Sequence, residues 1–371
     1  MPWDYTIHDT MTGVLQSRVF PSSNRMPRVL NAGSSGSSVF LPDKDISAAQ
    51  WQALTTPWAR TLVKSRNGVP LFAHLITGRT FDHDKNQLSI SHSDFWALLA
   101  RRTTFGTNGY SGSDPANNFL ALVNYKLASM PSWLIWSGTD GPTVNFGLPV
   151  FVPEGKITFP LISSLPFSGT DSRTYFDYEL HFIEETINEV ARAMGGPDVD
   201  FVPRFNVAGS LEWVTMSGVL TGGSSDWNMS APQRGLFNVS HVDDALKQAN
   251  VIYAVGKGSE ADMVVRSALG TPNVPALERV TTYKDIDDPV ALQSHANADL
   301  ALYNRPTTQW SASMLATAGP GIENMPPAHR MTLEFRGHVW EPDGQTVHRL
   351  IGITTDETET VQLSFQPTGG A

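Results

Sequence analysis

The 371-residue chain contains no cysteine. That excludes a disulfide framework, thiolate metal ligands and a cysteine nucleophile, so stability has to come from apolar cores and subunit contacts. Charge is scarce too: Asp, Glu, Lys and Arg together make up 17 % of the residues. The balance is acidic, with 26 basic against 36 acidic side chains and a formal net charge of −10. General or sequence-specific nucleic-acid binding is therefore not expected, because phosphate affinity needs clustered Lys and Arg. No apolar run reaches the roughly 18 residues of a membrane span, and Met1-Pro2-Trp3-Asp4-Tyr5 lacks the basic and apolar regions of a signal peptide. The expectation is a soluble product, made in the cytoplasm, that does not insert in a membrane.

Catalytic signatures are missing as well. GxSxG does not occur, and Gly33-Ser34-Ser35-Gly36-Ser37-Ser38 reads as a flexible loop rather than a nucleophile elbow. Val251-Ile252-Tyr253-Ala254-Val255-Gly256-Lys257-Gly258 runs a strand into GxG, but Ala261 stands at the third glycine and no βαβ series follows, so a turn is the better reading. His181 shares a helical face with Glu184 or Glu185 without the HExxH spacing, and a solvated face explains it more simply. Asp82-His83-Asp84 offers oxygen ligands but sits where a hairpin turn favours Asp for backbone reasons. Pairs such as Glu184-Glu185 and Glu357 with Glu359 carry no information about carboxyl separation. Trp133, Trp136 and Trp227 suit core or interface packing, with sugar stacking as the alternative. No catalytic, cofactor-binding or metal-binding residue is assigned, no cofactor is expected, and the chain is read as not an enzyme.

Thirty glycines and twenty-five prolines, scattered between short apolar runs, describe many turns and few long helices. A chain of this length exceeds one ordinary core, so several modules are expected. Residues 1–105 read as a β module: strands from Trp3 to Phe20 around the turn Met11-Thr12-Gly13, a hairpin on Asn67-Gly68, a second through 82–86, and a Ser-capped helix over 93–102. Residues 106–235 read as an α+β module, with a helix opening at Asp114-Pro115 and another in which Leu180, Ile183, Ile187, Val190, Ala191 and Met194 share a face before Gly195-Gly196-Pro197. A hairpin over 200–214 follows. Residues 236–371 read as a second β module: a buried strand over 249–256, a helix from Asp288-Pro289 to about Leu302, and a closing meander of 330–339, 346–353 and 360–365 with a turn at Glu341-Pro342-Asp343-Gly344.

In this order the features resemble the minor tail or baseplate-hub proteins of siphophages that infect actinobacteria, and through them the trimeric hub fold of contractile-tail baseplates. Three segments carry the likeness: Met11 to Pro42 with Pro57-Trp58-Ala59-Arg60-Thr61-Leu62-Val63 and the Asn67-Gly68 hairpin; Asn250 to Ser259; and His348 to Ile353 with Thr360 to Phe365. The resemblance implies a mainly β fold in which 1–105 and 236–371 are tube-like antiparallel β-barrels and 106–235 is a peripheral α+β module. It also implies a structural homotrimer at the virion tail tip, between the sixfold tail tube with its distal tail protein and threefold tip or fibre proteins, around the channel for DNA ejection. The partners would be the distal tail protein, the tape measure protein and downstream minor tail or fibre proteins. An acidic wall suits a channel through which DNA passes without sticking. The alternative is a tail-tip component that binds or degrades cell-wall polysaccharide.

Overall fold

The structure, a computed structural model, describes residues 3–42, 45–101, 161–163, 182–192, 198–218, 220–259, 262–270, 274–284 and 286–368. The chain divides into two compact units, Met1–Phe237 with Ala312–Thr368, and Asn238–Ser311. It is mainly β, as the composition implied, with large antiparallel pairings and few helices.

In the first unit, β1 (Asp4–Asp9) turns into β2 (Leu15–Arg18) through Met11-Thr12-Gly13. Gly13 has φ +71°, and a Cβ there would fall 2.0 Å from the backbone oxygen of Leu211, so the turn admits only glycine. There follow β3 (Ser23–Val29), β4 (Ser35–Phe40), α1 (Ala48–Leu54), β5 (Arg60–Arg66), β6 (Val69–Asp82), β7 (Gln87–Ser93) and α2 (Trp96–Leu99). Asn67 and Gly68, at φ 51° and 79°, make the expected tight turn between β5 and β6. The 14-residue β6 pairs with β5 over its first half and with β7 over its second.

Two expectations need correction here. The Ser-rich stretch is not a loop: Ser35–Phe40 is β4, paired with β3 and β7. A Cβ on Gly36 would stand 2.0 Å from Arg25 O, so the small residues permit close approach of neighbouring strands rather than flexibility. The helix expected over 93–102 is shorter, because Ser93 ends β7 and Asp94, not a serine, accepts the Trp96 N–H at 3.1 Å.

The middle segment supplies β8 (Leu161–Ser163), α3 (Ile183–Arg192), β9 (Asp198–Phe205) and β10 (Leu211–Gly218), with β10 between β8 and β9. Ile183 and Ile187, one turn apart on α3, are buried against Val199, Phe201, Leu211 and Trp213, and the same core takes in Phe95, Trp96 and Leu99. Burying each such side chain contributes roughly 1.5–3 kcal/mol. The helix expected at Asp114-Pro115 lies outside the described residues.

Next come β11 (Ser224–Asn228) and β12 (Leu236–Asp244), then the second unit with β13 (Val251–Val255), β14 (Val265–Leu269), β15 (Glu278–Thr282) and α4 (Pro289–Tyr303). There β13 is central, antiparallel to β14 and parallel to β15, and α4 covers one face through Leu292 and Ala296 against Ile252, Ala254 and Ala268. The expected start of α4 is observed: Asp288 accepts the N–H of Val290 at 3.0 Å and of Ala291 at 3.1 Å, with Pro289 behind it.

The chain returns through β16 (Thr307–Leu315) and ends in β17 (Arg330–Phe335), β18 (Gly344–Asp356) and β19 (Thr360–Pro367), the expected meander. Its first strand stops at Phe335 rather than Val339, because a loop over 336–343 intervenes. Within the first unit the sheet order is β19-β18-β3-β4-β7-β6-β5-β1-β2, with β17 beside β18 and β11 parallel to β17. The β3–β18 pairing joins the first and last parts of the chain in one sheet.

Candidate functional site

Polar groups buried in the first unit gather around β3, β4, β6 and β7. His74 and His92 face each other with their Nδ1 atoms 3.0 Å apart. His74 Nε2 lies 2.9 Å from Pro27 O, which only accepts, so His74 donates there and its Nδ1 must accept from His92. His92 Nε2 then accepts from Ser38 Oγ at 2.9 Å, and Ser38 accepts from Asn24 Nδ2 at 2.6 Å. Every proton in this chain is assigned, with both imidazoles neutral. Burial holds His74 well below the usual histidine range, with the neighbouring His92 adding to it, and lowers His92 to about 4.

Beside this chain, Asp94 accepts from Ser34 N at 2.7 Å and from Ser34 Oγ at 2.6 Å, and burial pushes its carboxyl up to about 7 despite these bonds. Arg28 donates to Asp200 Oδ2 at 2.5 Å. A raised carboxyl, two histidines and a guanidinium look like catalytic equipment. Space decides otherwise: the cavity that His74, Asp94 and Arg28 line with Phe95, Trp96 and Trp213 has a volume of about 20 Å³. That holds about one water and no substrate. The cluster pairs most of its buried polar groups, with Asn24 Oδ1 and Arg28 Nε left over.

A second cluster lies under the β18–β19 turn. Lys64 on β5 is fully buried, its Nζ 4.1 Å from the centre of the Trp3 ring and donating to Asp356 O. Burial lowers its ammonium to about 7, against the pull of Asp356, Glu357 and Glu359. Burial, reinforced by the same carboxylates, raises Tyr5 above the usual phenol range. Around them Trp3 Nε1 donates to Thr358 O at 2.7 Å, Asn24 N to Glu357 at 3.0 Å and Arg66 Nη1 to Glu359 at 2.6 Å. Four hydrogen bonds thus tie one turn to β3, to β5 and to Trp3 just before β1.

The residues singled out from sequence do not meet in one place. Glu357 and Glu359 are engaged in the ties just described. Asp82 Oδ1 accepts the N–H of Asp84 and of Lys85, both at 3.1 Å, which makes Asp82-His83-Asp84 a turn. At Gly256 and Lys257 the backbone N–H groups donate to Val264 O and Ile286 O, each at 2.7 Å, and the next named element is a strand. GxG is therefore a turn. Trp227 is buried and donates to Ser225 Oγ at 2.9 Å. Glu184 and Glu185 lie in the first turn of α3, favourable for the helix dipole, whereas His181, Trp133 and Trp136 lie outside the described residues. Among the described residues no group of three His, Asp or Glu side chains is placed to hold a metal ion. Sequence reading missed His74, His92, Asp94 and Lys64. The available signal was a titratable residue inside an otherwise apolar strand run, as in Phe72-Ala73-His74-Leu75-Ile76.

No described protein family and no curated protein matches the sequence. Solved structures do match the fold over the full length. The tail protein of Neisseria meningitidis superposes with a TM-score of 0.60 at 12 % identity, covering 100 % of this chain and 98 % of that one. The 43 kDa tail protein of prophage MuSo2 from Shewanella oneidensis gives 0.58 at 8 % identity, covering 98 % of each chain. Prophage tail protein gp18 of Listeria monocytogenes gives 0.53 at 10 %, covering 99 % of this chain and 94 % of that one. The chain therefore has the fold of these tail proteins, two of which come from prophages.

Proposed function

We propose that the chain is a structural subunit of a phage tail tip, and that it forms the hub ring. Three copies would surround the DNA-ejection channel and join the sixfold tail tube and distal tail protein to threefold tip or fibre proteins, with the tape measure protein as a further neighbour. In this reading residues 1–105 and 236–371 furnish the tube-like modules, and 106–235 supports them from outside. The observation that carries the proposal is the full-length likeness to three phage tail proteins, each covered over 94 % or more of its own length. The cluster of His74, Asp94 and Arg28 agrees with a mechanical role, since the cavity it lines is too small for a substrate.

Mass measurement of the purified chain, together with averaged images of tail tips labelled on it, tests the reading. A trimeric mass and threefold density at the tip are expected. A stable monomer absent from virions would sink it, and carboxylate- or metal-dependent release of reducing sugars from cell wall would replace it with a hydrolase.

A further inference from the structure

The hub reading leaves two surface features of the first unit unused. One is the 336–343 loop between β17 and β18, which its own side chains hold in shape. Ser230 Oγ donates to Arg336 O at 2.9 Å and accepts from Arg336 N at 2.7 Å. Asp343 Oδ1 accepts the Gly337 N–H at 2.6 Å, and His338 Nδ1 accepts those of Trp340 at 3.3 Å and Glu341 at 3.1 Å. At its tip Val339 is 103 % and Trp340 76 % exposed. A loop already ordered presents such side chains with little further entropy to lose on binding. Glu341 and Asp343 flank the tip, so it is an apolar knob with an acidic side.

The other is a groove of about 670 Å³ between α1 and the β6–β7 hairpin. Trp51 and Phe81 supply aromatic wall, Arg79 and His83 line it, and among the described residues no carboxylate does. The side chain of Arg79 bonds through Nη1 to Gln52 O and Thr55 Oγ1, which fixes the guanidinium at the rim.

We propose that the 336–343 loop of one copy of this chain docks into the α1/β6–β7 groove of the next copy. The groove has the volume of a ligand site, ample for an indole and an isopropyl group. Charge selects this occupant: in a chain of net charge −10, a groove lined by Arg79 and His83 and, among the described residues, by no carboxylate is complemented by a loop bearing Glu341 and Asp343. Because the two patches differ, the contact is heterologous, and repeating one rotation closes a ring. The inference rests on the ring reading above and names the surfaces through which the ring closes.

Sedimentation equilibrium of the full chain tests it, comparing wild type with Trp340→Ala, Arg79→Glu, Glu341→Arg and the Arg79→Glu/Glu341→Arg double variant. Each single variant is expected to weaken self-association by roughly tenfold or more, as loss of an interface anchor does. The double variant should recover part of that loss, with the melting temperature of every variant near wild type. Wild-type assembly that Trp340→Ala and Arg79→Glu leave unchanged would overturn the docking and spare the ring. Variants that assemble normally but no longer bind another tail protein would also overturn it, by assigning the groove to that partner. A wild-type chain that stays monomeric at its highest soluble concentration would overturn docking and ring together.

Discussion

Arg349 on β18 grips both carboxylate oxygens of Asp198 at the start of β9, the Nη1 to Oδ1 bond being 2.9 Å and the Nη2 to Oδ2 contact its pair. Asn31, after β3, adds its Nδ2 to Asp198 Oδ1 at 3.1 Å and accepts the Val199 N–H at 2.6 Å. The start, middle and end of the first unit therefore meet at one carboxylate.

Removing the guanidinium leaves that carboxylate with neutral donors only. Arg349→Ala is expected to destabilise by about 2–3 kcal/mol, the lower range for breaking a buried pair because both side chains keep some exposure. Burial raises the Asp198 pKa, but the Arg349 and Asn31 bonds outweigh it and the net shift is downward. A depressed carboxyl stabilises above its unfolded pKa and loses that contribution as the pH falls through the folded one. The difference in denaturant stability between wild type and Arg349→Ala should therefore shrink below about pH 4. A difference constant from pH 7 to pH 3 would contradict the assignment.

The histidine chain gives an opposite group with the same direction in pH. His8, His74, His92 and His348 all have lowered pKa values, chiefly through burial. Between the folded values and about 6.5 the unfolded chain binds protons that the folded chain does not, so stability falls as the pH drops, by up to about 1.4 kcal/mol per pH unit for each fully buried histidine. Urea unfolding at pH 7, 6 and 5 should show this slope, and His92→Gln should flatten it. Equal slopes in wild type and variant would remove His92 from the account.

Lys64 extends the same direction to the alkaline side. Its folded pKa of about 7 lies below that of an exposed lysine, so the cost of burying the charge is fully present below pH 7 and is relieved as the pH rises toward about 10.4. Wild-type stability should rise over pH 7–9 relative to Lys64→Met, which fills the space under Trp3 without a charge. Parallel stability curves for the two proteins would show that Lys64 is not buried as a base of lowered pKa.

Gly36→Ala should cost about 1–3 kcal/mol, since its Cβ would meet the backbone oxygen of Arg25. Gly68→Ala places its Cβ in open space and pays only for φ +79°, about 1 kcal/mol. Chemical unfolding of the two variants checks the ranking. A milder effect at Gly36 would mean that β3 and β4 can separate.

Local signals were legible in the sequence and long-range ones were not. Asn67-Gly68, Asp288-Pro289 and the Ile183/Ile187 spacing act over a few residues, and each produced the expected element. The Ser47/Gln50 capping box of α1 was equally local and went unread, because the helix spans only seven residues, too short for a helical apolar period to stand out. The Ser-rich strand β4 misled because its residues face polar neighbours, Asn24 and His92, so its inner face carries no apolar alternation. For the buried cluster the sequence offered only a partial signal. The apolar run around His74 hints at its burial, but the partners are set by distant strands, up to 292 positions away in the Lys64 bond to Asp356.

The β3–β18 pairing can form only late in synthesis. Met26 and Thr355 are register partners, so β3 leaves the ribosome long before the strand that covers its edge. Until then its backbone groups on that side wait for water or for a chaperone, and folding must close a loop of more than three hundred residues, a slow event with high contact order. A nascent chain cannot present a finished sheet to its neighbours. A copy truncated before β18 therefore lacks the strand that covers the β3 edge.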